Sequence, residues 1–173
     1  HIAAVVLNND ISAESNALLD SFTNSQYFDI DYSASSPDQV QELIDRGDAK
    51  AGIIIPPEYS SDIRSGRTAQ IQLVIDGSDP TTAQTILSSA GAVVQSLSVE
   101  IVSQSMGAQM PQPLDLRSRV WYNPDMSSVY FNVPGLIGVI LQTVTLMLTS
   151  FSIVRERERG TLEQLIVTPI TKM

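Results

Sequence analysis

Cysteine is absent from this chain of 173 residues, and its single histidine is His1. Without thiols there is no disulfide framework, no thiol nucleophile and no cysteine metal site. One terminal imidazole excludes a Ser/His/Asp set and a histidine metal cluster. The missing cysteines leave the compartment open, because a domain of this size builds a core without disulfides. No glycine-rich phosphate loop follows a strand. Positive charge is also scarce, with 10 Lys and Arg against 19 Asp and Glu, a net charge of −9. No catalytic residue, cofactor or metal is expected.

The charge is unevenly placed. Up to Val133 the chain carries six basic and sixteen acidic residues, net −10, and the remainder is +1. An acidic front region is repelled by nucleic acid and by anionic membrane surfaces, so nucleic acid is not an expected partner. Between Asp125 and Arg155 charge disappears altogether, and it returns as Arg155-Glu156-Arg157-Glu158-Arg159. A bilayer crossing needs about 20 mostly apolar residues, which this stretch supplies. The basic cluster after Val154 puts that end in the cytoplasm and the acidic region outside.

Ahead of the span, short apolar runs alternate with helical spacing. Ile2 to Leu7 reads as a strand buried on both faces, and Ser12 to Asn24 as a helix with Ala17, Leu18 and Phe22 on one side. Phe28 to Tyr32 alternates as a second strand. Ser36-Pro37 opens a helix bearing Val40, Leu43 and Ile44, and Gly47 closes it. Ala51 to Ile55 is a third strand, Glu58 to Ser65 a short helix, and Ala69 to Ile75 a fourth strand. Asp79-Pro80 caps a long helix over 81–106, which is weakly polar enough to pack on the sheet. Gly107 to Pro113 is a linker, and Leu116 to Tyr122 a last strand, antiparallel at an edge. The expected class is α/β, a mostly parallel sheet with flanking helices, followed by one transmembrane helix. Residues 1–125 form the external domain, 126–154 the span and 155–173 a cytoplasmic segment. The chain opens at His1 with no signal peptide, so an outside domain requires an upstream targeting segment.

Gln142, Thr143, Thr145, Thr149, Ser150 and Ser152 make the span less apolar than a lone anchor, and a buried core helix is the competing reading. Small and hydroxyl residues are common where membrane helices pack together, so a helix bundle in lipid is preferred. The corresponding alternative function is a soluble α/β small-ligand-binding module whose apolar helix is core or a dimer seam. A further competitor is an enzyme using the aspartates at strand ends. Asp10, Asp76 and Asp79 stand at the carboxyl ends of strands, where open α/β sheets bind ligands, and could hold a cation or a small polar ligand. A helix cap at Asp79 and an Asp-Gly turn explain the latter pair more simply. A phospho-receiver is excluded, because Ile55-Pro56-Pro57 offers no acceptor aspartate.

After the span, Gly160 breaks the helix and Thr161-Leu162-Glu163-Gln164 has capping-box form, starting a new helix with Leu162, Leu165 and Ile166 on one side before Thr168-Pro169. A two-turn helix with an exposed apolar face needs a protein groove. The run from Arg157 to Pro169 resembles the cytoplasmic signature of the type-2 ABC exporter permeases, and the order of parts agrees with that family. The resemblance implies a first transmembrane helix before His1 and further helices after Met173. It also implies a multi-pass protein of a prokaryotic inner membrane, in contact with lipid, with residues 1–125 outside the cytoplasm. Arg157, Glu158, Gly160, Thr161, Leu162, Glu163, Leu165 and Pro169 would contact an ABC ATPase subunit. A second permease subunit completes the translocation path, and a periplasmic adaptor protein is a candidate partner of the outer domain.

Overall fold

The computed structural model describes residues 1–104 and 112–160. It divides at Ser128/Val129 into two units. The first holds β1 (Ile2–Asn8), α1 (Ala13–Asn24), β2 (Phe28–Ser33), α2 (Pro37–Asp45), β3 (Ala51–Ile55), α3 (Tyr59–Arg64), β4 (Ala69–Asp76), α4 (Pro80–Gln104) and β5 (Leu114–Trp121). The second contains α5 (Val129–Glu158). The expected continuation of α4 to Met106 and most of the linker before β5 lie outside the described residues.

Local chemistry accounts for the helix starts. Ser12 caps α1, accepting a hydrogen bond from the Ser15 amide, while the Ser15 hydroxyl takes the Ser12 amide in a capping box. Ser36 caps α2 by accepting from the Gln39 amide, the Gln39 side chain takes the Ser35 amide at 2.7 Å, and Pro37 stands in the first turn.

The five strands form one sheet in the order β2-β1-β3-β4-β5. The expectation of a mostly parallel sheet is met only in part. β1 is parallel to β2 and β3, and β4 is parallel to β5, but β3 and β4 are antiparallel. Two parallel blocks therefore run in opposite directions. The reason lies in α3. A parallel return must carry the chain back along a strand, and β4 spans about 26 Å at 3.3 Å per residue whereas six helical residues rise about 9 Å. The chain turns back instead, and the full-length crossover is made by α4, so the last strand is parallel to its neighbour rather than antiparallel as expected.

Alternate side chains of the central strands feed two apolar layers. Ala4, Val6, Ile53, Ile71, Leu73 and Ile75 pack with Leu18 and Phe22 of α1, Tyr59 of α3 and the inner side of α4. Val5, Leu7 and Val74 pack with Val40 and Ile44 of α2 on the other face. Gly77, at the exit of β4, has no room for a side chain: a Cβ there would sit 2.5 Å from Val120 Cγ1 and 2.6 Å from the Trp121 carbonyl oxygen. That close approach lets β4 leave the sheet beside β5.

Candidate functional site

α5 runs for 30 residues, and none of its side chains is buried. Leu136, Leu141, Leu146, Leu148 and Phe151 are each about 60% exposed or more. In water such a surface would drive association, whereas in a bilayer it is solvated by lipid tails. α4 is also long and apolar enough to cross a membrane by length and composition. Its Ala83, Ile86, Ala90, Val93, Val94 and Leu97 are nevertheless buried in the core of the first unit.

The polar side chains of α5 are handled partly within the helix. Thr143 donates to the Val139 carbonyl, Thr149 to that of Thr145 and Ser150 to that of Leu146, each at 2.8 Å. Pro134 lies inside the helix, in its second turn, and has no N–H to give the Tyr130 carbonyl four residues back. At the other end Arg155, Glu156, Arg157 and Glu158 continue the helix, Glu156 half-buried and the other three exposed. Arg155 and Arg157 sit in the last turn, where cations complement the negative end of the helix dipole. Gly160 then adopts a left-handed φ of +71°, and its amide donates to the Arg157 carbonyl at 3.2 Å. A glycine reaches that conformation without strain, so the helix stops here. Of the candidate ATPase-contacting residues, Arg157 and Glu158 are thus helical and Gly160 is the break. Thr161, Leu162, Glu163, Leu165 and Pro169 lie outside the described residues.

The three candidate ligand aspartates are not brought together. Asp10 follows β1, and Asp76 closes β4, which runs the other way, so they stand at opposite ends of the sheet. Asp10 accepts hydrogen bonds from the Ser12 and Ser60 hydroxyls, the latter at 2.8 Å. Asp79 caps α4, taking the Thr81 amide at 2.9 Å and the Thr82 hydroxyl at 2.6 Å. Those bonds, the Thr82 hydroxyl first, hold its carboxyl below the usual carboxylate range. Asp76 is only 7% exposed and pairs with Lys50 Nζ at 2.8 Å while accepting the Ser78 amide at 3.0 Å. Burial alone would push its pKa up, but Lys50 and Ser78 outweigh it and the net shift is downward. Among the described residues no group of three or more Asp, Glu, His or Cys could hold a metal ion.

Sequence reasoning missed two polar features of the first unit. Arg64 of α3 grips Glu14 of α1 with two bonds, Nε to Oε1 at 2.7 Å and a terminal nitrogen to Oε2 at 2.8 Å. This holds the Glu14 carboxyl down at about 2. The two residues are 50 positions apart, so no local pattern announces the pair. The second is a cleft of about 480 Å³ lined by Gln41, Asp45, Arg46, Lys50, Asp76 and Tyr122 among others. Tyr122 has a φ of +67°, and its hydroxyl donates to Asp45 across this cleft. The charged side chains around it already have partners within the unit.

An α/β unit followed by an uncovered apolar helix with a charged exit describes a membrane-associated protein of composite build. The model of the ABC-2 family transporter proteins matches residues 1–173, and the chain belongs to that family of membrane permeases in ABC transport systems. Among its relatives is the probable multidrug ABC transporter permease YbhR of Escherichia coli K12, 34% identical over 136 residues, covering 79% of this chain and 36% of that protein. The probable multidrug ABC transporter permease YbhS of the same organism is 32% identical over 169 residues, 94% of this chain and 44% of that one. The inner membrane transport permease YhhJ is 30% identical over 138 residues, 78% of this chain and 36% of its own length. The chain thus spans less than half the length of these relatives. A crystal structure of a domain from Thermotoga maritima MSB8 assigned to the ABC type-2 transporters shares the fold. It superposes with a TM-score of 0.54 at 21% identity, covering 69% of this chain and 85% of that domain.

Proposed function

We propose that the chain is the part of an ABC exporter permease that links an external domain to an ATPase contact. Residues 1–125 lie outside the cytoplasm, 126–154 cross the inner membrane and 155–173 reach the ATPase subunit. The chain itself hydrolyses nothing, and ATP is consumed on the partner. A second permease subunit completes the path, and a periplasmic adaptor is a candidate ligand of the acidic outer unit. The observation that carries this reading is α5, with 30 residues unburied and a charged last turn ended at Gly160, in a chain of this family. The resemblance of the Arg157 to Pro169 run to the family's cytoplasmic signature supplies the contact residues. Asp10 and Asp79 are given no ligand role, since each is engaged at a turn or cap.

The test is coupling in the assembled transporter. Gly160→Ala and Glu163→Ala should leave assembly with the ATPase intact, keep ATP hydrolysis and lower export. Unchanged export per ATP in both variants would sink the assignment of this segment.

A further inference from the structure

The polar residues of α5 are ordered in space. Gly135, Gly138, Gln142, Thr145, Thr149, Ser152 and Glu156 follow one another at alternating steps of three and four residues. At 100° per residue they fall within a stripe about 100° wide, running six turns along the helix. Leu136, Ile140, Met147 and Val154 lie on the opposite side, all large and apolar. Thr143 and Ser150, outside the stripe, and Thr149 within it close their hydroxyls on backbone carbonyls four residues back. Gln142 has no such escape. Its amide carries two donors and an acceptor near the middle of the span, and among the described residues nothing bonds to it. In hydrocarbon a polar group without a partner is costly.

We propose that this seam faces the same seam of a second copy, the two α5 helices running parallel about a two-fold axis. The proposal rests on the permease reading and names the surface by which the second subunit is met. Three observations choose this occupant. The three-four spacing is the one that left-handed helix pairs use, and sustained over this length it keeps one face turned to a partner. The two glycines at the start of the seam allow close backbone approach there. Finally, in a parallel two-fold pair Gln142 meets Gln142 of the copy at the same depth. An amide is both donor and acceptor, so two of them satisfy each other, whereas a lipid tail offers nothing. Tyr130 to Val133 on one side and the Arg/Glu turn on the other place the seam's ends at the two interfaces, so a parallel arrangement keeps both copies in one topology.

Single cysteines introduced into the full-length protein in native membranes test this, because residues 1–173 contain none of their own. The series comprises Gly138→Cys, Gln142→Cys, Thr145→Cys and Thr149→Cys on the seam, with Ile140→Cys and Met147→Cys opposite. Under mild oxidation the seam positions should give disulfide dimers about fivefold or more above the opposite ones, with the three-four rhythm of the helix. Dimers at Ile140 and Met147 instead, or none anywhere, would overturn the proposal. So would seam cysteines that a membrane-impermeant maleimide labels without dimers forming, which is the signature of a water-lined wall. Gln142→Leu should lower the dimer yield at Thr145→Cys, and Gln142→Asn should restore it in part. Extraction of the protein from membranes by alkaline carbonate would defeat the permease reading itself. Firm membrane insertion with cross-links on the wrong face would defeat this proposal alone.

Discussion

α4 and α5 are nearly alike in length and apolar content, yet their surfaces are inverted copies of one pattern. In α4 the residues at three-four spacing are Ala83, Ile86, Ala90, Val93 and Leu97, all buried, and the polar Thr81, Gln84, Thr85, Ser88 and Gln95 face out. In α5 the residues at that spacing are Gly, Gln, Thr and Ser, large apolar side chains lie on the opposite side, and none of its side chains is buried. In the proposed pairing each helix turns toward its packing partner what its surroundings cannot provide. Water surrounds α4, so burial of apolar area on the sheet holds it, at roughly 25 cal/mol per Å². On the proposed reading lipid surrounds α5 and gives it no such drive, and close packing and hydrogen bonds are left to order it. Length and composition let both helices pass as membrane spans, and the chemistry of the three-four stripe separates them.

The largest effect that would break this comparison is in the core under α4. Ile86 is fully buried, and Ile86→Ala should cost the first unit about 2–5 kcal/mol. Urea unfolding followed by Trp121, the single tryptophan, reads this directly. Ile140→Ala on α5 should leave the same transition within about 0.5 kcal/mol of the parent. Equal losses would mean that α5 belongs to the core after all. The next effect concerns the bilayer. Leu141→Arg sets a charge near the middle of the span and should disfavour insertion by about 2.5–3.5 kcal/mol. The fraction of chains resisting carbonate extraction should drop accordingly. Insertion at the parent level would remove the transmembrane assignment of α5.

Much of this contrast is legible in the residues themselves. Continuous apolar runs announce β1 and β3, Ser36-Pro37 and Asp79-Pro80 announce two helix starts, and the charge gap to Arg155 announces α5. Gly160 as a break follows from its place after the charged turn, and its left-handed φ is the physical cause. What escaped the residues is direction. Nothing local in Ala69 to Asp76 says that β4 runs against β3, since a strand's side-chain alternation is the same in both senses. The information was present only as the shortness of α3. That one reversal also moved Asp76 and Asp79 to the far end of the sheet from Asp10, so the aspartate site dissolved with the topology. Long-range pairs such as Glu14 with Arg64 and Lys50 with Asp76 are likewise set by the fold and carry no sequence periodicity.

The smallest effect sharpens the account of how α4 is enclosed. α1 and α3 share its face of the sheet, and the Glu14–Arg64 clasp ties those two helices together. Arg64 is mostly exposed, so solvent screens the pair and its contribution at neutral pH should be small. Its pH dependence has a definite sign. Glu14 falls from an ordinary carboxylate value of 4.5 to about 2 in the folded chain, so the folded state binds this proton less readily than the unfolded one. The contribution is complete above pH 4.5 and fades as pH drops toward about 2. Glu14→Gln should therefore lower the urea midpoint slightly at pH 7 and leave it nearly unchanged at pH 2. The depressed Asp76 and Asp79 lose their own contributions over the same acid limb in both proteins, so the difference between parent and variant isolates the clasp. A gap between the two midpoints that stays constant from pH 7 to pH 2 would show that packing of the Glu14 stem, rather than its charge, joins α1 to α3.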